Sequence, residues 1–152
     1  MNAALWVPEM SITGGCDCNN IEISWHTVDY GLVPRACQCD YCLSKAAAYV
    51  TKAGTGFDAS IRNEKLHSQV RHGSNSAVFH ECANCNQVIF VTSEIDGELY
   101  GALNANHLIN KFGFSAPVKL NFSSQTVEQK RERWRQNWCQ PVLITSLASG
   151  TN

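Results

Sequence analysis

Seven of the eight cysteines fall into three tight clusters: Cys16 and Cys18 as C-x-C, Cys37, Cys39 and Cys42 as C-x-C-x-x-C, and Cys82 and Cys85 as C-x-x-C, with Cys139 alone. This pattern constrains the fold more than any other feature of the chain. A C-x-C or C-x-x-C turn presents two thiolates to one ion, and two such turns, distant in sequence, close a tetrahedron of four ligands. The intervening chain must then fold back on itself, and the ion staples it. At 152 residues the chain fits a single domain, residues 1–152, with room for a buried core.

The count of seven divides as four plus three. Only the contiguous cluster offers three ligands from one segment. The economical partition therefore sets Cys16, Cys18, Cys82 and Cys85 around a structural zinc. Cys37, Cys39 and Cys42 are left to hold a second zinc whose fourth position is open to water, a thiol or a carbonyl, as catalytic zinc requires. Two zinc ions per chain are expected. A closed second site completed by Cys139 or a histidine is the alternative, and Cys139 beside Trp138 reads as a buried apolar thiol. His80, near Cys82, reads as a residue that tunes or packs rather than ligates.

Thiol clusters of this kind belong in a reducing compartment, where they act as ligands or redox groups rather than disulfides. The segment Met1–Pro8 has neither a positive n-region nor a continuous apolar run, unlike a secretory signal. No apolar stretch approaches the ~20 residues of a membrane helix. A cytoplasmic protein is the expectation. Net charge is −1, which gives no electrostatic case for nucleic acid. Charged residues are 16%, below the usual ~25%, so metal is expected to contribute to stability.

The fold class reads as mainly β with zinc knuckles and one C-terminal helix, about 126–138. Gly14-Gly15 marks a turn before Cys16, and Asn19 suits the left-handed backbone after Cys18. Residues 21–26 alternate as a strand with Ile21, Ile23 and Trp25 inward. Ala46 to Val50 reads as a helical turn running into a strand, residues 54–56 as a loop, 61–72 as a weak edge strand and 73–76 as a turn. Residues 77–80 and 88–91 flank the Cys82–Cys85 knuckle as strand, knuckle, strand. Asp96-Gly97 signals a hairpin into a strand at 99–103. Residues 104–117 look irregular, and 118–122 alternate again. Thr126 and Gln129 form a capping box, with Val127, Trp134 and Trp138 on one stripe and the basic run between them as a solvated face.

The ordered set Gly15-Cys16-Asp17-Cys18, then Cys37-Gln38-Cys39-Asp40-Tyr41-Cys42, then Phe79-His80-Glu81-Cys82-Ala83-Asn84-Cys85 resembles the glutathione-dependent formaldehyde-activating enzyme family, which shares its domain with centromere protein V. The resemblance covers roughly residues 10–105. It implies a β-tent fold of stacked antiparallel sheets, a structural zinc on the outer pairs and a catalytic zinc on Cys37, Cys39 and Cys42. It implies a carbon–sulfur lyase joining formaldehyde to the glutathione thiol, with a small-molecule thiol and aldehyde as partners. The family has glycine where this chain has Asn19 and Asn86, and arginine within the stretch that here reads Leu43-Ser44-Lys45-Ala46. A substrate carboxylate contact is then expected at Lys45 or Arg35, with Asn104 as a further substrate-side candidate. A non-enzymatic, zinc-stapled interaction domain is the alternative that the centromere protein V relationship allows. Oligomeric state is not legible from the sequence.

Overall fold

The computed structural model describes residues 11–71, 77–109, 113–120 and 125–146. The expectations for residues 1–10, for the turn at 73–76 and for 121–122 lie outside the described residues. Among the described residues, eleven strands form two sheets. The small sheet has the order β1 (Ile12–Gly15), β2 (Ile21–Trp25), β5 (Phe57–Ile61), β11 (Val142–Ser146). The large sheet has the order β10 (Val118–Leu120), β3 (Arg35–Cys37), β4 (Tyr49–Val50), β9 (Glu98–Asn104), β8 (Gln87–Ile95), β7 (Val78–Cys82), β6 (His67–Arg71). Both are antiparallel except at one edge of each, where β10 runs parallel to β3 and β11 parallel to β5.

The alternation that predicts β2 works as expected, because period two sends every second side chain to one face. Ile21, Ile23 and Trp25 are buried against the large sheet, while Glu22 and Ser24 face away. The core between the sheets holds Trp25, Phe57, Ile61, Phe90 and Leu103, with Phe57 meeting Phe90 edge-on at 5.6 Å between ring centroids. Gly101 of β9 lies where the sheets approach most closely, since a Cβ there would stand 2.7 Å from the Phe57 ring and 3.0 Å from Val142.

Strand β8 is buried almost throughout its length, because both of its faces are covered. Phe90 faces the small sheet, and Val88 and Val91 face outward under two helices. The first is the short α1 (Asp40–Ser44), capped by the Cys39 side chain, which accepts from the Cys42 N–H. The second is α2 (Val127–Asn137), opened by the predicted capping box of Thr126 and Gln129. Trp134 and Trp138 stack at 4.6 Å and cover β8 and β9, whereas Val127 is 44% exposed and takes no part in the stripe. The layers are thus small sheet, large sheet, helices.

Several local readings change. Gly14 and Gly15 continue β1 rather than turning, and glycine is required there by crowding: a Cβ on Gly14 would meet the His107 carbonyl oxygen at 2.3 Å, and one on Gly15 the Ile21 oxygen at 2.2 Å. The helical turn expected from Ala46 lies earlier, over the cysteine cluster itself, and Ala46 follows it with φ 52°. Strand β5, which follows the 54–56 loop and alternates apolar and polar as β2 does, is absent from the sequence reading, yet it is central to the small sheet. The edge strand begins only at His67, after a 3-10 turn at Glu64–Leu66, and another such turn at Ala105–His107 interrupts the stretch read as irregular. Asn19, Asn86 and Asp96 hold positive φ (64°, 57° and 53°), as their turn readings require.

Replacing Gly101 by alanine tests the stacking of the sheets. The variant is expected to lose about 1–3 kcal/mol by overpacking against Phe57 and Val142, read as a lower urea midpoint at unchanged slope.

Candidate metal centres

The outer cysteines converge as the spacing requires. The turn between β1 and β2 delivers Cys16 and Cys18, and the turn between β7 and β8 delivers Cys82 and Cys85. All four sulfurs lie within 4.8 Å of one another, with Cys16 to Cys18 at 3.7 Å and Cys18 to Cys82 at 3.6 Å. A tetrahedron with metal–sulfur bonds near 2.3 Å has edges of about 3.8 Å, so the donor set fits one ion. Backbone donors point at the sulfurs: Ile21 N–H to Cys16 Sγ at 3.3 Å and Cys18 N–H to Cys85 Sγ at 3.2 Å. The left-handed residues Asn19 and Asn86 close the two turns, with the Asn86 N–H reaching the Cys82 carbonyl at 2.7 Å.

The four thiols are not equivalent. Hydrogen bonding, first from the Asn84 side chain, lowers Cys18 to about 6, whereas burial raises Cys82 to about 12 and also raises Cys85. Cys16 and Cys82 reach into the core between the sheets, while Cys18 is exposed. The quartet therefore ties one end of the small sheet to the large one.

The second set sits on the other side of the large sheet. Cys37 ends β3, Cys39 caps α1, and Cys42 lies within α1, with their sulfurs all within 4.8 Å of one another. Among the described residues no further Cys, His, Asp or Glu atom joins this group. Cys42 is buried, Cys37 half-buried and Cys39 exposed, so the set opens toward solvent at one side. The hydrogen bond with Cys42 lowers Cys37 to about 5 and correspondingly raises Cys42, whose burial adds to the rise. The phenol of Tyr49 lies 4.0 Å from Cys42 Sγ, and burial raises its pKa well above the usual range.

Cys139 does not complete the trio. It is fully buried at the core, with Thr51 Oγ1 at 3.4 Å. His80 is also buried, between Phe90, on which it stacks at 4.1 Å, and hydrogen bonds to His67 at 2.9 Å and Thr92 at 2.8 Å. Both serve packing, in line with the sequence reading.

Of the three substrate-side candidates, only Arg35 lies exposed beside the trio, two residues before Cys37 on the same face of β3. Lys45 is instead engaged with the other knuckle: its Nζ donates to Asn86 Oδ1 at 2.7 Å and lies 3.6 Å from Glu81 Oε1. Asn104 is fully buried. Its amide donates to the Val88 carbonyl at 2.9 Å, and its oxygen accepts from the N–H groups of Ala48 at 3.3 Å and Asn106 at 3.2 Å. It joins three backbone segments and faces no opening.

The structure adds residues that the sequence reading missed. Glu81 accepts from the Tyr41 hydroxyl on one oxygen and pairs with Lys45 on the other, so one carboxylate beside Cys82 holds both ends of α1. Its position next to a ligand and the tyrosine inside the C-x-C-x-x-C motif were the available signals. Lys130 and Arg133 of α2 place positive charge near Cys37, although the basic run reads in sequence as a solvated face. A cleft of about 870 Å³ lies elsewhere, on the outer face of the small sheet, lined by Thr13, Glu22, Ser24, Asp58 and Ser60 among others.

No family model and no curated protein matches the chain. Among solved structures it is similar to the crystal structure of a Rhodobacter sphaeroides protein determined as a structural-genomics target. The TM-score is 0.53 at 18% identity, over 70% of this chain and 99% of that one. At that identity the likeness is one of fold. Among the described residues no helix is long and apolar enough to cross a membrane.

Removing the carboxylate with Glu81→Ala leaves Lys45 without its anionic partner under 16% side-chain exposure. The expected loss is about 3 kcal/mol, the lower end for a broken buried pair, and Glu81→Gln is expected to lose less because it still accepts from Tyr41. Chemical denaturation of the three proteins side by side checks the order.

Proposed function

We propose that the protein is a zinc-dependent carbon–sulfur lyase that joins a small aldehyde such as formaldehyde to a thiol such as glutathione at Cys37, Cys39 and Cys42. One observation carries this reading: three cysteine sulfurs lie within 4.8 Å of one another with no fourth ligand atom among the described residues, beside a quartet that is complete. The resemblance of the ordered cysteine motifs to the formaldehyde-activating family points the same way.

Zinc held by the trio would supply Lewis acidity and the ability to keep a thiol deprotonated at neutral pH. The chain's own residues provide the setting. Cys39 and Cys37 border solvent, so substrates approach from their side, while Cys42 is anchored in α1 below. Tyr41, Tyr49 and Phe79 pack around Cys37 and Cys42 and keep water from the inner side of the cluster. Lys45 and Glu81 fix α1, and with it the spacing of Cys39 and Cys42, without facing the substrate.

The reaction balances without an oxidant or reductant. The thiol sulfur bonds to the aldehyde carbon, the carbonyl π bond breaks, and its oxygen takes up the proton that the thiol gave up. The product is an S-hydroxymethyl adduct, and the reverse step cleaves the same carbon–sulfur bond. Clustered cysteines that form no disulfide among the described residues support a reducing compartment such as the cytoplasm.

Exchange NMR of formaldehyde with its glutathione adduct tests the proposal. The metal-loaded wild-type protein is expected to accelerate exchange, and Cys39→Ser to lower that acceleration about 100-fold or more, since even outer-shell changes at such sites cost 10–100-fold. A Cys39→Ser protein that matches wild type contradicts the reading.

A further inference from the structure

A large apolar side chain left in water costs free energy, although single ones are common on any protein. Among the described residues seven are exposed, and three of them stand on the elements around the trio: Leu43 of α1 (55% exposed), Val118 of β10 (43%) and Val127 of α2. A group of them round one opening marks a binding surface, as scattered ones do not.

Their placement follows from the fold. Cys39 caps α1 and Leu43 comes four positions later, so the leucine lies over the exposed Cys39 on one face of the helix. The Leu43 N–H also bonds the Cys39 carbonyl at 2.9 Å, which fixes that spacing. Val118, Arg35 and Tyr49 are register partners across β10, β3 and β4, and therefore share one face of the large sheet. It is the face of the trio, because the Tyr49 hydroxyl lies 4.0 Å from Cys42 Sγ. Val127 precedes Lys130 by three positions and so lies on the same side of α2, beyond the part that Trp134 buries. The Lys130 charge acts on Cys37, which brings that side of the helix to the trio.

Formaldehyde has only hydrogen on its carbonyl carbon and offers nothing to such a surface. The carbon that bonds to the thiol stands at the open side of the trio, where Cys37 and Cys39 border solvent. A chain on that carbon extends from the opening across its rim. Exchanging water for contact with Leu43, Val118 and Val127 stabilises an alkyl chain, whereas a charged chain loses hydration there without a partner.

We propose that Leu43, Val118 and Val127 form an apolar rim that receives the substituent on the aldehyde carbon, so that the aldehydes favoured at the trio carry an apolar chain. The inference rests on the reading of the trio as a lyase centre and narrows its aldehyde to a class. The thiol sulfur bonds to the substituted carbon, the carbonyl π bond breaks, and the oxygen takes up the proton that the thiol gave up. The adduct differs from that of formaldehyde only in the chain it carries. Leu43 is the specificity-determining residue, because it shares a helix face with the exposed Cys39.

The test uses stable stand-ins for the adducts, S-methylglutathione and S-hexylglutathione, which keep the carbon–sulfur bond and lack the hydroxyl. Their binding to the zinc-loaded full chain is measured by calorimetry, without turnover. Half-burying each added methylene tightens binding about twofold, so the hexyl compound is expected to bind about 30-fold more tightly than the methyl compound. Leu43→Ser is expected to cut that ratio to about tenfold or less, while Leu143→Ser, at an exposed leucine of the small sheet, leaves it unchanged. A ratio near one in wild type, no binding of either compound, or a ratio that Leu43→Ser lowers no more than Leu143→Ser does, overturns the proposal. Exchange of formaldehyde and of hexanal with their glutathione adducts, followed on the same preparations, separates the two readings. Accelerated exchange together with any of those outcomes overturns the apolar rim alone. No acceleration with either aldehyde overturns the lyase reading and the rim with it.

Discussion

The closure of Cys16, Cys18, Cys82 and Cys85 into one tetrahedral donor set is the constraint on which the rest of the structure depends. These residues come from two turns 64 positions apart at their nearest, Cys18 and Cys82, one turn in each sheet. Without that junction, the small sheet meets the large one through a core in which the largest side chains are Trp25, Phe57 and Phe90. A tetrathiolate site adds folding free energy directly, because the unfolded chain has no preformed site to bind the ion. The same turns that build it demand left-handed backbone at Asn19 and Asn86, and asparagine meets that demand.

The second cysteine group is organised by the first. Glu81 immediately precedes Cys82, and it reaches across to Tyr41 and Lys45 at opposite ends of α1. Lys45 in turn reaches Asn86, the residue that closes the quartet's turn. The short helix carrying Cys42 is therefore positioned by the hairpin that carries Cys82 and Cys85. A five-residue helix has little stability of its own. Its geometry comes from these contacts and from the packing of Cys42 on Ala47 and Val88. A site assembled this way can be rigid while exposing one side.

Much of this was legible in the sequence, and the reasons are physical. The partition of seven thiols depends only on spacing and coordination number, and it survives intact in the structure. Strand β2, the hairpins at Cys82–Cys85 and Asp96-Gly97, and the capped helix α2 carry strong local signals, and each forms where expected. Strand β5 was missed although Phe57-Asp58-Ala59-Ser60-Ile61 alternates apolar and polar as β2 does, with only a small alanine at its centre. The substrate-side residues were the least legible. Lys45 and Asn104 are adjacent to the site in sequence or in the sheet, but their side chains turn to Glu81 and to backbone groups. The face of α2 that approaches Cys37 depends on where Trp134 docks, and no local pattern in a run of basic residues contains that information.

The central claim is that the chain builds two separate thiolate centres, one closed and one open. Elemental analysis of metal per chain tests it most directly, with wild type and the triple variant Cys37→Ser, Cys39→Ser, Cys42→Ser purified in parallel. The account predicts two divalent ions per wild-type chain and one in the triple variant, which stays folded on its intact quartet. A wild-type protein that holds a single ion, or a triple variant that still holds two, would contradict it.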